Sequence, residues 1–288
     1  MKTRAIGDIT VSAIGLGGMP MSIEGRPDEA RSIATIHAAL DAGVTLIDTA
    51  DAYRLAGEAH SHNELLIAKA LKSYAGNTSQ VLVATKGGHH RTINRPGPWE
   101  QDGRPEYLKA AAEASLRALG VEAIGLYQFH RPDPEVDYAD SVGAIRDLLD
   151  EGKIRMAGIS NANPEQIRLA QDILGGRLVS VQNQFSPSFR SSEPELELCT
   201  ELDIAFLAWS PLGGIASASS LGAKFSAFQS VADARGVSPQ VVCLAWELAK
   251  GSGVIPIPGA SRPESILDSA TATELELTAE ERAALDAA

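Results

Sequence analysis

The sequence predicts an α/β protein, a (β/α)8 barrel preceded by a short N-terminal β-hairpin. Short apolar runs rich in β-forming residues recur along the chain, and stretches with helical spacing separate them. Strands that helices cover on both faces are continuously apolar, as these runs are. The length of 288 residues also suits this fold, since such a barrel needs about 250. No linker or change in composition interrupts the chain, so we expect residues 1–288 to form one domain.

The strands are predicted from these apolar runs in chain order. A hairpin comes first, with strands at Arg4–Ile6 and Thr10–Ser12 joined at Gly7 and Asp8. The eight barrel strands follow at Ala13–Met19, Thr45–Ala50, Val81–Lys86, Ile124–His130, Arg155–Asn161, Ser180–Ser186, Ala205–Pro211 and Gly253–Gly259.

Helices are predicted between the strands from their apolar spacing and their stop signals. One begins at Pro105, which suits the first turn of a helix, and carries Leu108 and Leu116 on one face. It ends at Gly120, and an earlier helix ends at Gly43, because glycine is the usual residue after a helix. The alternation of strand and helix predicts successive βαβ units, in which a helix connects each strand to the next parallel strand.

Charge and cysteine content argue against several classes of protein. The chain carries 25 Lys and Arg against 37 Asp and Glu, a net charge of -12, which repels nucleic acid and anionic lipid surfaces. Its two cysteines cannot form the disulfide framework of a secreted scaffold. No signal sequence is recognisable, and no apolar run approaches the roughly 20 residues that cross a bilayer. We therefore expect a cytoplasmic protein that binds a small molecule, and the sequence does not indicate its oligomeric state.

Common nucleotide and metal motifs are missing from the sequence. The glycine cluster Gly15–Pro20 has proline where the dinucleotide fingerprint GxGxxG needs its third glycine, and no GxxxxGK[ST] loop occurs. His60, His62 and Glu64, or the adjacent His89 and His90, form no recognised zinc pattern. We expect no metal site.

Four polar residues at or after strand ends form a set that carbonyl reduction requires. In a (β/α)8 barrel the chemistry collects where the strands end, which is where Asp48, Tyr53, Lys86 and His130 lie. Reduction by hydride leaves an alkoxide that an acid must protonate, and Tyr53 is a candidate for that acid. Its ordinary pKa is about 10, so we expect the ammonium of Lys86 to lower it, with Asp48 orienting that lysine. His130 is suited to hydrogen-bond the carbonyl oxygen.

Each of these residues also has an ordinary structural interpretation. A buried Asp48–Lys86 pair can simply stabilise a fold, Tyr53 can be an aromatic residue of a loop, and His130 can cap a strand. The functional interpretation rests on the four residues as a set.

The sequence around these residues resembles the aldo-keto reductase family. The segments that carry the resemblance are Leu46–Tyr53, Ala84–Gly88, Leu126–Pro134, Glu151–Asn161, Val181–Ser186, Ala208–Gly214 and Ile257–Arg262. They occur in the family's order and cover nearly the whole chain. The resemblance implies a barrel that binds a nicotinamide cofactor along its rim, without a Rossmann unit. It also implies an Asp/Tyr/Lys/His tetrad that Asp48, Tyr53, Lys86 and His130 match one for one.

The resemblance further implies a set of cofactor-binding residues. Their roles would be contacts to the nicotinamide carboxamide (Ser160, Asn161, Gln182), stacking on its ring (Trp209), contacts to the pyrophosphate (Ser210, Leu212, Gly213, Gly214) and contacts to a 2′-phosphate (Ser261, Arg262). The planar, charged guanidinium of arginine is suited to bind that phosphate, which favours NADPH over NADH. A second arginine common in the family is here Ser265, and the adenine-binding pair is replaced by Asp268 and Ser269, so partial use of NADH is also expected.

The resulting hypothesis is a reductase of aldehydes or ketones with NADPH as donor and Tyr53 as proton donor. Rim residues Met19, Met21, Trp99 and Phe185 are the expected substrate pocket. The segment His89–Arg104 is rich in proline and glycine, which predicts a loop that serves as a lid. The sequence does not identify the substrate.

Two other functions remain open at this stage. One is a non-catalytic regulatory subunit that binds NADPH as a sensor, against which the complete tetrad argues. The other is a lyase in which Lys86 forms a Schiff base with a carbonyl substrate. That reaction would leave Ser160, Asn161, Gln182 and Arg262 without a role.

Overall fold

An antiparallel hairpin and a parallel sheet make up the centre of the computed structural model, which describes residues 1–91 and 99–288. The N-terminal hairpin pairs Thr3–Ile6 with Ile9–Ser12. The strands of the sheet are β1 (Leu16–Gly17), β2 (Leu46–Asp48), β3 (Leu82–Gly87), β4 (Ile124–Phe129), β5 (Ile154–Ser160), β6 (Leu178–Gln184), β7 (Ala205–Trp209) and β8 (Val254–Pro256). They pair in chain order and in parallel.

Contacts between the first and last strands close the sheet into a barrel. Gly17 forms a parallel bridge with Gly259. The amide of Gly15 donates to the carbonyl of Pro256, and the amide of Gly17 donates to that of Pro258, both at 2.9 Å. The prediction of a (β/α)8 barrel after an N-terminal hairpin is therefore confirmed, with each strand lying within or close to its predicted run.

Helices follow the strands and surround the barrel. They are α1 (Glu29–Asp41), α2 (His62–Ser73), α3 (Pro105–Leu119), α4 (Tyr138–Asp150), α5 (Pro164–Ile173), α6 (Glu193–Glu201), α7 (Leu221–Lys224), α8 (Ser226–Arg235), α9 (Pro239–Leu248), α10 (Pro263–Ala270) and α11 (Ala279–Asp286). Helix α1 packs against both α2 and α10, so the layer of helices also closes on itself. In the described part of the chain, no helix is both long and apolar enough to cross a membrane.

The ends of α3 and α5 show how local sequence sets the helix boundaries. Helix α3 starts at Pro105 and stops before Gly120, which has a φ of 68° that only glycine adopts without strain. Both ends agree with the prediction. Helix α5 begins after Asn163, whose side chain accepts a hydrogen bond from the amide of Gln166 in a capping box.

The inside of the barrel is apolar at the bottom and polar at the top. Ile6 and Val11 of the N-terminal hairpin pack with Leu46, Leu126 and other inward residues of the strands, and so plug the lower end. Because side chains alternate along a strand, the residue two places after each of these strand leucines also points inward, one layer higher. That alternation turns the last residue of β2, an aspartate, toward the barrel axis.

Replacing Gly17 with alanine is expected to destabilise the closure of the barrel. A Cβ at this position would lie 2.9 Å from the carbonyl oxygen of Ile257 and 3.2 Å from the Cα of Gly259. Since both are backbone atoms, the strands would have to separate. We expect Gly17→Ala to lower the free energy of unfolding by about 1–3 kcal/mol in urea titrations.

The matched control is Gly143→Ala in the middle of α4. A Cβ there would approach only the end of the Arg146 side chain, at 4.0 Å. Alanine is favoured over glycine in a helix, so this variant should gain about 0.5–1 kcal/mol. Equal stability of the two variants would contradict a steric requirement at the closure.

The segment after β3 is more regular than the sequence predicts. His89–Arg91 and Trp99–Gln101 form two short antiparallel strands, which we call the rim hairpin. The prediction of an irregular loop over His89–Arg104 is wrong for these residues, because cross-strand backbone hydrogen bonds and the stacking of Trp99 on His89 at 4.9 Å order them. Residues 92–98 of the predicted lid lie outside the described part of the chain.

Candidate active site

The ends of β2, β3 and β4 bring the four predicted catalytic residues together at the top of the barrel. The Lys86 Nζ donates to Asp48 Oδ2 at 2.7 Å and to the carbonyl of Thr49 at 2.8 Å. It lies 3.3 Å from the hydroxyl of Tyr53. The ring of His130 meets that of Tyr53 edge-on, with centroids 5.9 Å apart. These side chains therefore form one cluster.

Lys86 and Asp48 form a buried ion pair beneath the site. Lys86 is fully buried, and Gln182 occupies the second carboxylate oxygen of Asp48 with a hydrogen bond of 2.8 Å. Burial works against the charge of Lys86, but the attraction of Asp48 and Tyr53 outweighs it and raises the pKa of the ammonium. Lys86 is thus a fixed cation at neutral pH.

The pKa of Tyr53 is raised above its ordinary value rather than lowered. Burial disfavours the phenolate, and this effect exceeds the opposing effect of the Lys86 ammonium. The expectation that Lys86 brings the pKa down overlooked Asp48, whose negative charge raises the pKa of Tyr53. Tyr53 consequently keeps its proton through neutral pH.

Two imidazoles beside Tyr53 are neutral. The rings of His89 and His130 meet edge-to-face, with centroids 4.8 Å apart. Burial and the nearby cations Lys86 and Arg131 lower the pKa of His130 well below 6.5, and burial lowers that of His89 to about 4. The Nδ1 atom of each ring is buried and has no hydrogen-bond partner within residues 1–91 and 99–288. A neutral His130 retains one N–H with which to bind an oxygen atom.

The folded protein is expected to lose stability in weak acid because of His89. The folded pKa is about 4, below the value of about 6.5 in the unfolded chain, so the unfolded state binds the proton first as the pH falls. The loss begins near pH 6.5 and continues toward pH 4. Between pH 7 and pH 5, His89 should account for about 2 kcal/mol of the unfolding free energy.

Urea titrations of the wild type and of His89→Gln at both pH values test this prediction. The variant should lose clearly less stability on acidification than the wild type. Equal losses would contradict a neutral buried His89.

A cavity of about 530 Å³ opens on the rim above this cluster, a volume typical of small-molecule sites. Twelve of the predicted site residues line it: Met19, Asp48, Tyr53, Trp99, His130, Ser160, Asn161, Gln182, Trp209, Ser210, Leu212 and Gly214. Ile257, Pro258 and Gly259 near the C-terminal end also line the cavity, so residues from the first strand to beyond the last build it.

Two cavity residues hold the left-handed backbone conformation that favours glycine. Asn161 has a φ of 58° and Ser210 a φ of 50°. Such conformations cost roughly 1–3 kcal/mol and persist where the surrounding structure imposes them. The Asn161 amide is fixed because it donates to the carbonyl of His130 at 3.0 Å and to Ser160 Oγ at 2.9 Å. The strain places both side chains at the cavity wall.

The residues that line the cavity suit a flat ring that bears an amide group. The indole of Trp209 presents a broad apolar face, and its buried Nε1 has no hydrogen-bond partner in the described structure. The polar side chains Ser160, Asn161 and Gln182 lie along the same cavity. At Gly214 the φ is 94° and a Cβ would meet nothing within 4 Å, which leaves open space beside the backbone.

Two predicted pocket residues lie elsewhere. Phe185 is fully buried between the barrel and α9, where it stacks on Trp246 at 5.4 Å. Since Gln182 points inward, alternation along the strand points Phe185 outward, into the helical layer. Met21 is 1% exposed and packs against Ile36 in the core between β1 and α1. The prediction that these two residues line the pocket is wrong.

Three predicted cofactor residues, Gly213, Ser261 and Arg262, are outside the cavity lining. Arg262 is exposed at the start of α10, and its Nε donates to Ser265 Oγ at 2.8 Å. Gly213 belongs to the same rim loop as Gly214 and has a φ of 79°. No group of three or more His, Cys, Asp or Glu side chains in the described ranges could hold a metal ion.

The cavity also contains residues that the sequence analysis did not assign to the catalytic, cofactor or substrate site. They include Ile23, Glu24, His89, Gln101 and Arg131. Arg131 directly follows His130 at a strand end, a position that could have marked it. Ile23 and Glu24 come from the loop after β1, for which the sequence carried no signal.

Comparison with known proteins places this site in a family. The family model described as "Aldo/keto reductase family" matches residues 13–288. The chain belongs to this family. This aldo/keto reductase is 34% identical to a 6-dehydroglucose reductase of Novosphingobium aromaticivorans, over 93% of this chain and 88% of the relative.

Solved structures of other aldo/keto reductases share the fold. A glycerol dehydrogenase from Gluconobacter oxydans is 28% identical and superposes with a TM-score of 0.83, covering 99% of this chain and 94% of its own. An aldo/keto reductase from Klebsiella pneumoniae, solved in complex with NADP and acetate, is 26% identical with a TM-score of 0.81 and the same coverage. Enzymes of this family use NADP(H) and act on carbonyl groups. This aldo/keto reductase is accordingly an oxidoreductase.

Proposed function

We propose that this enzyme reduces aldehydes or ketones to alcohols, with NADPH as the hydride donor and Tyr53 as the proton donor. The observation that carries the proposal is the Tyr53 hydroxyl, which lies at the cavity wall and 3.3 Å from a buried ammonium. Burial keeps this phenol protonated at rest, because it raises the pKa of Tyr53. A protonated phenol beside a fixed cation is suited to give up its proton to an alkoxide.

Each member of the cluster has one task in this proposal. Tyr53 gives its proton to the oxygen of the reduced carbonyl, and the ammonium of Lys86 stabilises the phenolate that results. Asp48 keeps Lys86 charged and in place. His130, which is neutral, donates a hydrogen bond to the carbonyl oxygen and so orients the substrate.

Residues of the rim would hold the cofactor, which supplies the hydride when bound. We assign contacts to the nicotinamide amide to Ser160, Asn161 and Gln182, stacking to Trp209, contacts to the pyrophosphate to Ser210, Leu212, Gly213 and Gly214, and contacts to the 2′-phosphate to Ser261 and Arg262. The flat indole face and the amide side chains that line the same cavity support this assignment. The NADP complex of the Klebsiella pneumoniae relative supports the choice of NADP(H) as the cofactor.

Arg262→Ala is expected to weaken the binding of NADPH much more than that of NADH. The guanidinium is exposed at the start of α10, where it can exchange its hydrogen bond to Ser265 for contacts to a 2′-phosphate, which NADH lacks. Loss of one charge-assisted hydrogen bond at this position should raise the Kd of NADPH roughly tenfold. Fluorescence titration with each cofactor measures this, with Arg168→Ala on the exposed face of α5 as the control. Equal changes for the two cofactors would reject the assignment.

The burial of Lys86 disfavours the lyase alternative. A Schiff base requires a neutral amine that reaches the substrate, whereas Lys86 is fully buried, ion-paired and absent from the cavity lining. The sensor alternative predicts NADPH binding without turnover.

The test of the proposed function is the initial rate of NADPH oxidation with a panel of aromatic, aliphatic and sugar aldehydes. Sugar aldehydes belong in the panel because one relative is a 6-dehydroglucose reductase. We expect rapid oxidation with members of the panel and a slower reaction with NADH. Tight binding of NADPH without oxidation by any carbonyl compound would instead favour the sensor.

A further inference from the structure

A second cation, separate from Lys86, lines the cavity beside the reacting centre. Arg131 follows His130 at the end of β4 and is half-buried at the cavity wall. Its Nε is buried and donates no hydrogen bond within residues 1–91 and 99–288, and no Asp or Glu of these ranges forms an ion pair with the guanidinium. The guanidinium therefore has an unused donor at the wall of the cavity.

The surrounding groups leave this positive charge uncompensated. Asp48, a carboxylate of the lining, is already paired with Lys86. The neighbouring imidazoles His89 and His130 are neutral, since the charge of Arg131 adds to the effect of their burial. Glu24, from the loop after β1, is a further carboxylate of the lining, and it is exposed to water. Among the described residues, the charge of Arg131 beside Tyr53 thus has no carboxylate paired with it.

An unpaired arginine in this position is costly for the protein alone. Burial removes part of the hydration of its charge and lowers the pKa of the guanidinium. A carboxylate or phosphate oxyanion would restore that interaction, because the planar fork of arginine binds both in bidentate fashion. Neighbouring apolar faces such as that of Trp99 would strengthen the attraction by excluding water.

We propose that the substrate is a carbonyl compound with a second, anionic group and that Arg131 binds this group while the carbonyl faces Tyr53 and His130. The inference rests on the proposed reductase function and narrows its substrate class. It makes Arg131 a specificity-determining residue, and it assigns the cavity a carboxylate- or phosphate-binding subsite.

The test compares two aldehydes that differ in charge. para-Formylbenzoate and its methyl ester have similar aromatic skeletons, and the meta isomers probe how far the guanidinium reaches. In the wild type we expect a lower KM for the acid than for the ester. Arg131→Met should lower kcat/KM for the acid about tenfold to a hundredfold more than for the ester, the range expected for one charge-assisted contact. Arg168→Met on exposed α5 is the control and should leave the acid-to-ester ratio unchanged.

Three outcomes would overturn the inference while leaving the reductase function intact. The first is an equal preference for acid and ester in the wild type. The second is an equal loss of kcat on both aldehydes in Arg131→Met, which would mean that Arg131 acts on the developing charge at the carbonyl. The third is a matching rise in the Kd of NADPH, which would mean that a cofactor phosphate is the anion.

A binding measurement separates this inference from the proposed function. Trp99 and Trp209 line the cavity, so quenching of tryptophan fluorescence reports its occupancy. para-Formylbenzoate should quench the wild type in the presence of NADP⁺ and bind about tenfold or more weakly to Arg131→Met. If neither aldehyde is reduced but this difference is found, the anion subsite stands and the reductase function fails.

Discussion

Tyr53→Phe is expected to lower kcat by about 10²- to 10⁴-fold, the range for loss of a positioned general acid. Phenylalanine fills the same buried space, since Tyr53 is 7% exposed and its ring packs edge-on against His130 and Trp99. Only the hydroxyl is removed, so the Kd of NADPH should remain nearly unchanged. Stopped-flow reduction of an active aldehyde, together with fluorescence titration of NADPH, measures both quantities.

The matched control for this variant is Tyr138→Phe. The hydroxyl of Tyr138 on α4 is buried and has no hydrogen-bond partner among the described residues. Its removal should leave kcat unchanged and cost no hydrogen bond. If Tyr53→Phe kept wild-type turnover, another group would have to supply the proton, and the assignment of Tyr53 would be wrong.

Lys86→Met is expected to impair both catalysis and stability. It leaves the buried carboxylate of Asp48 without its cation, and breaking one side of a buried ion pair costs about 3–5 kcal/mol. It also removes the charge that stabilises the phenolate of Tyr53. Urea unfolding at neutral pH should show the stability loss, and NADPH oxidation should fall to near the level of Tyr53→Phe.

The double variant Asp48→Asn with Lys86→Met separates these two effects. Because it removes both charges, it should recover much of the lost stability. It should not recover activity, since the ammonium beside Tyr53 is still absent. Recovery of turnover in the double variant would contradict the proposed role of Lys86.

The catalytic cluster was predictable because the fold leaves few alternatives for residues at strand ends. Asp48, Lys86 and His130 each end or follow an apolar run, and parallel strands of a barrel bring such ends to one rim. The alternation of side chains was also available from the sequence. If Gln182 points into the barrel, this alternation places Phe185 on the outside, so the prediction that Phe185 lines the substrate pocket could have been avoided.

Other properties depend on distances that the sequence does not contain. The pKa of Tyr53 follows from its burial and from the charges of both Lys86 and Asp48, which come from different strands. The cost of an unpaired Arg131 likewise depends on which carboxylates come near it in space. The proline and glycine content of this segment predicted a loop where the rim hairpin forms. Composition does not show the cross-strand pairing and the stacking of Trp99 on His89 that order the hairpin.

Because the first and last strands of the barrel contact each other, the pocket can form only after the last strand has been synthesised. Two residues that line the cavity lie at this contact, Met19 beside the first strand and Pro258 beside the last. The bridge between Gly17 and Gly259 holds these two parts of the cavity wall together. An emerging chain can form its early strand–helix units, but the pocket has to wait until β8 has left the ribosome. Until then the polar cluster at the top of the barrel lacks one wall, and we expect the nascent chain to acquire affinity for its ligands only at the final step of folding.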